Sequence, residues 1–558
     1  MRQTASWLSV IVAAGLMAAC GDRTETAPDP ESIQDKTGGV SQTEADDQPA
    51  LQGQLAFADG RPVGHSFVTL KSLDRNLSKT VISDTAGRFR VPTLADGRYE
   101  LHAWRYGAAT ISQIVDVSGA VSLGSLLMTP GATDPIRIAG TAWLGRLPDG
   151  RLKRQFISGC TICHDMGSER ARSPETAEDW RAIMAQMREQ NDIYSVIVDF
   201  DDAEMADWLA DHGFGRTAED TDLLAARDGL LSDVVITEYA VGDSASWAHD
   251  MAVEPATGAA WVGDYINDQL IRVDPESGDL TTWDIPRTGA GTHTLHFDTD
   301  GYLWLTFQLT AEVARFDPRT GEFQVFGGFA EGALTHSFAY DSRGLIKTDA
   351  AGRLWLSQFG NNTVASLNPV TGAVQEYKLG GAEGRPYGIA LDSTGRIWFT
   401  KYSENLMGYL QPDTGDFKEW ALPVSDSGPH RMHIDDDDRL WIPLSGTGTL
   451  MRYDTRTGDT KDYTLPDSDT FPYAVRYDAG HDKVWVAGNG ANSLYLFDPE
   501  TERFDIIRLP SPLSYARMIS VDHGRGAVWT ALSSYPTPHA KRDFGVMVRI
   551  ARPAWHQE

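Results

Sequence analysis

"RPYGIALDSTGRIWFTKYSENLMGYLQPDTG" runs from Arg385 to Gly415, and its internal order decides the fold. A small-residue strand ends at Asp392, the turn "DSTG" follows, the strand "RIWFTKY" carries Trp398, and a third strand "LMGYL" is closed by "QPDTG". Short strands separated by Asp, Pro, Asn and Gly turns describe an antiparallel meander. The unit recurs with Trp261, Trp304, Trp355, Trp441, Trp485 and Trp529, in strands such as "AAWVGDY", "RLWLSQF" and "KVWVAGN". The gaps are nearly equal apart from an insertion before Trp355. A unit that cannot bury its own faces and repeats at this length stacks into a ring or an array.

Six of the tryptophans are followed by a turn: "DPESG", "DPRTG", "NPVTG", "QPDTG", "DTRTG" or "DPETE". Each turn leads to an outer strand such as "VQEYKL" or "FKEWALP". The seventh repeat ends at "GVMVRIARP" with no outer strand after it, and the matching segment, "VITEYAV", lies at 235–241, ahead of the first repeat. A ring whose last sheet borrows a strand from the other end of the repeat region explains this and leaves no free sheet edge. Residues 234–553 are thus expected to form a seven-bladed β-propeller.

The rest divides by composition into a mainly β, multidomain chain. Residues 1–20 show an early Arg2, an apolar run and small residues before Cys20, the pattern of a secretory signal. Its ending on a cysteine resembles a bacterial lipoprotein signal, which implies lipidation at Cys20, attachment to a membrane through that lipid, and a periplasm-facing place in the cell envelope. Residues 21–50 have almost no aliphatic or aromatic side chains and read as a disordered tether. Residues 51–130 alternate as short strands. "DGRPV", "DTAGRF" and "DGRYEL" there resemble the carboxypeptidase regulatory-like module, a small β-sandwich. Residues 131–150 and 217–233 are expected as linkers around a small all-α domain at 151–216. The net charge of −29, from 78 acidic and 49 basic side chains, argues against nucleic acid as a partner.

That all-α domain holds "GCTICHDMG", Gly159 to Gly167. A Cys-x-x-Cys-His run can attach haem c, supply half of a zinc site or form a redox disulfide. Zinc lacks further cysteine ligands, since the chain has three cysteines and the third is Cys20. A redox pair lacks its βαβ unit. Haem c is therefore the expected cofactor, attached at Cys160 and Cys163 with His164 on the iron. The helical "EDWRAIMAQM" after the motif resembles small c-type cytochromes. Met187 is the expected sixth ligand, with Met184, Met205 and Met166 as alternatives and His212 as a ligand of the opposite redox effect. Each methionine also fits as plain core filling.

In the propeller, the residue about a dozen positions before each tryptophan falls at one mouth of the central channel. These are His249, His293, Tyr387, His430, Tyr473 and Arg517, with His336 or Arg343 in the third repeat, where the insertion blurs the register. The pairs His293/His296 and His430/His433 are three apart, so on a regular strand only one of each faces the channel. "RPYGIALDSTGRIWFTKYSENLMGYLQPDTG" and "GPHRMHIDDDDRLWIPL" resemble the streptogramin lyase (virginiamycin B lyase) family. That resemblance implies a magnesium-dependent elimination that opens a cyclic ester, with glutamates on the metal and a histidine base. Lys401 stands where the family's glutamate after Trp-Phe-Thr is implied, and Asp264 in the first blade is the one carboxylate at the equivalent place. Magnesium or another metal in the propeller is therefore not expected.

Three functions follow as expectations. The first is electron relay through the haem domain to an electron-transfer partner, with a small molecule or partner bound over the His/Tyr channel. The second is a lyase acting on a cyclic ester or lactone, and the third is a non-enzymatic binding scaffold.

Overall fold

The computed structural model describes residues 50–162, 164–190, 198–216, 218, 222–381, 384–533, 545–552 and 555. The expected leader, the lipidation site at Cys20 and nearly all of the expected tether lie outside them.

The repeat folds as its turns dictate. In five of the six turns the closing glycine is left-handed, for example Gly415 at φ +76°. In the sixth, Glu502 takes φ +55° itself. Seven antiparallel sheets result, six of them four-stranded. The seven repeat tryptophans are all buried, and in several blades the aspartate six residues earlier accepts the indole N–H, as with Trp398 Nε1 to Asp392 Oδ2 at 2.8 Å. Burial alone would raise the Asp392 carboxyl, but the hydrogen bonds from Trp398, Thr394 and the Arg396 backbone outweigh it and hold it low.

The seventh sheet pairs Gly545–Ala551 with Val235–Val241, so the ring closes with strands from both ends of the repeat region. It then continues. Val235–Val241 also pairs with Ser78–Ile82 of the N-terminal sandwich, and one eight-stranded sheet runs from the propeller into that domain. The sandwich's second sheet holds Leu51–Phe57 between Arg88–Val91 and Val121–Met128. Leu55, Val68, Leu101 and Val117 lie in the core between its sheets.

Among the described residues, four α-helices lie between the two β regions: α1 (Gly140–Leu144), α2 (Arg151–Cys160), α3 (Ala177–Gln190) and α4 (Asp202–Asp211). A reciprocal cap starts α3, with Thr176 N donating to Asp179 Oδ2 (3.0 Å) and Asp179 N to Thr176 Oγ1 (3.2 Å). Asp201 caps α4 by accepting from Ala203 N and Glu204 N. The described residues of the two expected linkers pack into the fold. Residues 131–150 contain α1, whose Trp143 and Leu144 are buried, and in 217–233 Leu224 is buried against Phe67 and Trp104 of the sandwich. No helix among the described residues is long and apolar enough to cross a membrane.

Candidate functional site

Two features meet: a cleft in the helical segment and a ring of side chains at the propeller axis. The cleft is lined by Cys160, His164, Met166, Met184 and Met187, with apolar walls from Phe156, Trp180, Ile183 and Phe200. It encloses ≈ 1190 Å³ of atom-free space, its open side included. Cys160 closes α2, and the turn after it carries His164 back, the His164 N–H donating to the Cys160 carbonyl at 3.1 Å. Burial, with Arg170 adding to it, pushes the His164 pKa down to about 4, so the imidazole is neutral at physiological pH. Cys163 lies outside the described residues.

The structure sorts the methionines. Met184 is buried and Met187 half-buried, and both line the cleft, as does Met166. Met205, on α4, is fully buried and is not among the residues lining the cleft. His212 is exposed at the end of α4, its Nδ1 2.7 Å from the Trp208 carbonyl, and does not line the cleft either.

At the axis, each of the seven blades contributes one buried side chain near the start of its innermost strand: His249, His293, His336, Tyr387, His430, Tyr473 and Arg517. Ring centroids along this series lie 4.1, 3.9, 4.2, 4.2 and 3.8 Å apart. Arg517 Nη1 donates to Tyr473 Oη at 3.1 Å, and its guanidinium lies 5.5 Å from the Trp247 ring, which in turn lies 5.3 Å from His249. The circle therefore closes. Tyr387 and Tyr473 are joined hydroxyl to hydroxyl across it.

The insertion in the third blade falls after the inner strand Thr335–Phe338, so His336 is the ring member and Arg343 lies at the other end of the axis. His296 and His433 are buried one layer deeper, His296 4.2 Å and His433 4.9 Å from the Tyr340 ring. Asp264 is not in the ring. Its carboxylate accepts from Trp247 N, Ile266 N and Asn267 N, which makes it the anchor of a turn.

Beneath the ring, Arg431 Nη2 donates to Asp250 Oδ1 at 2.8 Å, and Thr294 Oγ1 donates to Asp250 Oδ2 at 3.0 Å. Sequence reasoning passed over this pair, although "HRMH" and "AHDM" place it one residue after ring histidines. His249, Asp250 and His293 bring donor atoms within 4.8 Å of one another and could hold a metal ion. Arg431 already supplies the countercharge there. Burial pushes the ring histidines far down: His249 to about 4 despite Asp250, and His293, His336 and His430 well below the usual range. They are neutral donors and acceptors at physiological pH.

Lys401 is fully buried, its Nζ 2.5 Å from Glu404 Oε2 and 3.3 Å from Glu419 Oε1. The buried ammonium is thus matched by two carboxylates.

The helical segment covers the ring. Tyr402 Oη donates to the Ser158 carbonyl at 2.7 Å, and Tyr515 Oη lies 2.8 Å from the carbonyls of both Thr161 and Ile162. Tyr402 packs edge-on against His430 and Tyr515 against Tyr473. Phe156, Ile157 and Ile162 share one hydrophobic core with Tyr387, Phe471 and Tyr473. The end of α2 thus lies over the ring where the sequence led us to expect a small molecule or partner.

Comparison with known proteins gives the following. Residues 229–453 match the virginiamycin B lyase family, and residues 50–124 match the carboxypeptidase regulatory-like domain. No curated protein matches the sequence. Among solved structures, the chain is similar to selenomethionine-substituted virginiamycin B lyase from Staphylococcus aureus, with 18% identity and a TM-score of 0.49 over 57% of this chain and 99% of that one. It is also similar to a streptogramin B lyase, with 19% identity and a TM-score of 0.48 over 57% of this chain and 98% of that one. The chain thus joins a virginiamycin B lyase-like propeller region to a carboxypeptidase regulatory-like domain.

Proposed function

We propose that this chain is a haem c-carrying electron-transfer protein of the bacterial cell envelope whose propeller serves as a binding scaffold. The observation that supports it is the cleft: a cysteine thiol, a neutral imidazole and three thioethers line one apolar-walled space in a segment rich in aromatic side chains. That donor set fits an iron porphyrin and suits a hard cation poorly. When bound, haem c would supply a one-electron couple at the iron.

The remaining roles belong to the chain. Cys160 and Cys163 would hold the group covalently, His164 would be the near ligand, and Met187 or Met184 the far one. Phe156, Trp180 and Phe200 would keep water from the walls, which raises the potential of a bound iron. Arg170, on the rim, suits a ligand with carboxylates. The α2 turn that carries the motif is hydrogen-bonded to Tyr402 and Tyr515, so the propeller would hold the redox centre at a fixed place.

A second reading, a C–O lyase acting on a cyclic ester or lactone, is favoured by the family match over 229–453. Lys401 with its two carboxylate partners and the covered ring weigh against it. Magnesium-dependent opening of a lactone by the full chain would favour the lyase.

The test of the first reading is an absorption spectrum of the full chain, exported by cells that mature c-type cytochromes, before and after dithionite. The narrow reduced bands of a six-coordinate haem c are expected, weakened in whichever of Met187→Ala and Met184→Ala removes the far ligand. A colourless protein would contradict the reading.

A further inference from the structure

The opposite end of the propeller axis is open. There the innermost strands of the first, sixth and seventh blades end, and with the Arg343–Leu345 loop they border a cavity of ≈ 1000 Å³ of atom-free space, its mouth included. Two charged side chains in its lining are almost wholly buried, Arg476 and Asp522, each 3% exposed. Arg476 Nε donates to the Ile519 carbonyl at 3.1 Å, and the guanidinium lies 4.9 Å from the Tyr340 ring centroid.

On another side the guanidinium packs against Gly344, whose φ of +81° favours glycine and whose missing Cβ leaves room for Nη1. Nη1 has no hydrogen-bond partner among the described residues, and Arg476 makes no ion pair among them. Asp522 Oδ2 has no partner among them either, while Oδ1 lies 3.4 Å from Arg525 Nη1. Arg343, exposed at the mouth, likewise makes no ion pair among the described residues. His523 also lines the cavity, its Nδ1 3.3 Å from Asp478 Oδ1.

Leaving a buried charged donor and a buried carboxylate oxygen unmatched is costly, and native folds keep such groups where a ligand or water meets them. We propose that this cavity binds a small carboxylate that also carries a hydroxyl or ammonium donor. The carboxylate meets Arg476 and Arg343, whose planar forks match its geometry, and the donor meets Asp522. In a chain of net charge −29, two guanidiniums without carboxylate partners in one lining select an anion. This site does not depend on the haem reading, since it lies at the other end of the axis and shares no residue with the cleft.

The experiment is calorimetric titration of the full chain at low salt with malate and with succinate, which differ by one hydroxyl. Saturable binding of malate near about 1 mM is expected, with succinate about tenfold weaker. Arg343→Ala should weaken malate about fivefold or more at unchanged Tm. Asp522→Asn should narrow the gap between the two acids. Arg476→Leu should abolish binding; because it can also unfold the chain, the surface change at Arg343 carries the decision. No saturable heat from either acid at tens of millimolar, equal affinities, or indifference to Arg343→Ala would each overturn the proposal.

Discussion

At one end of the axial strands, six rings and one guanidinium pack against each other beneath the end of α2; at the other, a cavity stays open around Arg476 and Asp522. Both ends are made by the same seven strands. What separates them is the segment laid over the first, and the Arg343–Leu345 loop that borders the second. One end of the propeller axis is thus held against the helical segment, while the polar opening lies at the other end.

Acid is the strongest way to break the ring end. Unfolded histidine has its ordinary pKa near about 6.5. In the fold, burial holds His249 at about 4, His296 at about 3, and His293, His336, His430 and His433 well below the usual range. The unfolded state therefore binds more protons in this window. Stability is full above about pH 6.5 and is lost as pH falls toward the folded pKa values, by about 1.4 kcal/mol per pH unit for each histidine. Urea midpoints measured from pH 7 to pH 4 should drop steeply; a flat profile would mean that the histidines are not buried neutral.

A single side chain comes next. Lys153, on α2, reaches Asp469 of the propeller at 2.9 Å and Asp149 at 3.1 Å with its own side chain 7% exposed. Lys153→Ala should cost about 2–4 kcal/mol in chemical denaturation, because the partly buried Asp469 carboxylate loses the Lys153 ammonium. Malate binding at the open end should not change.

Tyr515→Phe is milder, about 1–2 kcal/mol, since one hydroxyl serves the Thr161 and Ile162 carbonyls. Amide exchange in residues 158–162 should rise while the seventh blade stays protected. The smallest effect belongs to Glu502→Gly. Its left-handed backbone is strained for a side chain, and the exposed ion pair to Lys461 is a weak compensation, so Tm should rise by about 2 °C or less. A fall would show that this pair matters more than the turn.

The repeat made much of this legible. Turn glycines and buried tryptophans fall where spacing puts them, "VITEYAV" closes the ring, and counting about a dozen residues back from six of the tryptophans finds His249, His293, Tyr387, His430, Tyr473 and Arg517. Repetition makes a residue's environment readable from its register. Departures from the repeat are where reading by period ends. His336 and Arg343 compete until the inner strand shows which precedes the insertion. Parity misleads for His293 and His296 because the inner strand slips register between Thr292 and Leu295, and both are buried. The cap over the ring depends on Tyr402 meeting Ser158 and Tyr515 meeting Ile162, hundreds of residues apart, and no local pattern announces that. Arg476 stands two residues before the end of its strand, where no one residue type recurs, and Asp522 takes the place of the aspartate that ends or directly follows the inner strands at Asp298, Asp392, Asp435 and Asp478, so the repeat does not mark it out.

The most direct test is peptide mapping of the full chain matured with c-type cytochrome assembly. The account predicts one peptide containing Cys160 and Cys163 that carries a covalent porphyrin and is lost in Cys160→Ala. An unmodified peptide with two alkylatable thiols would contradict it.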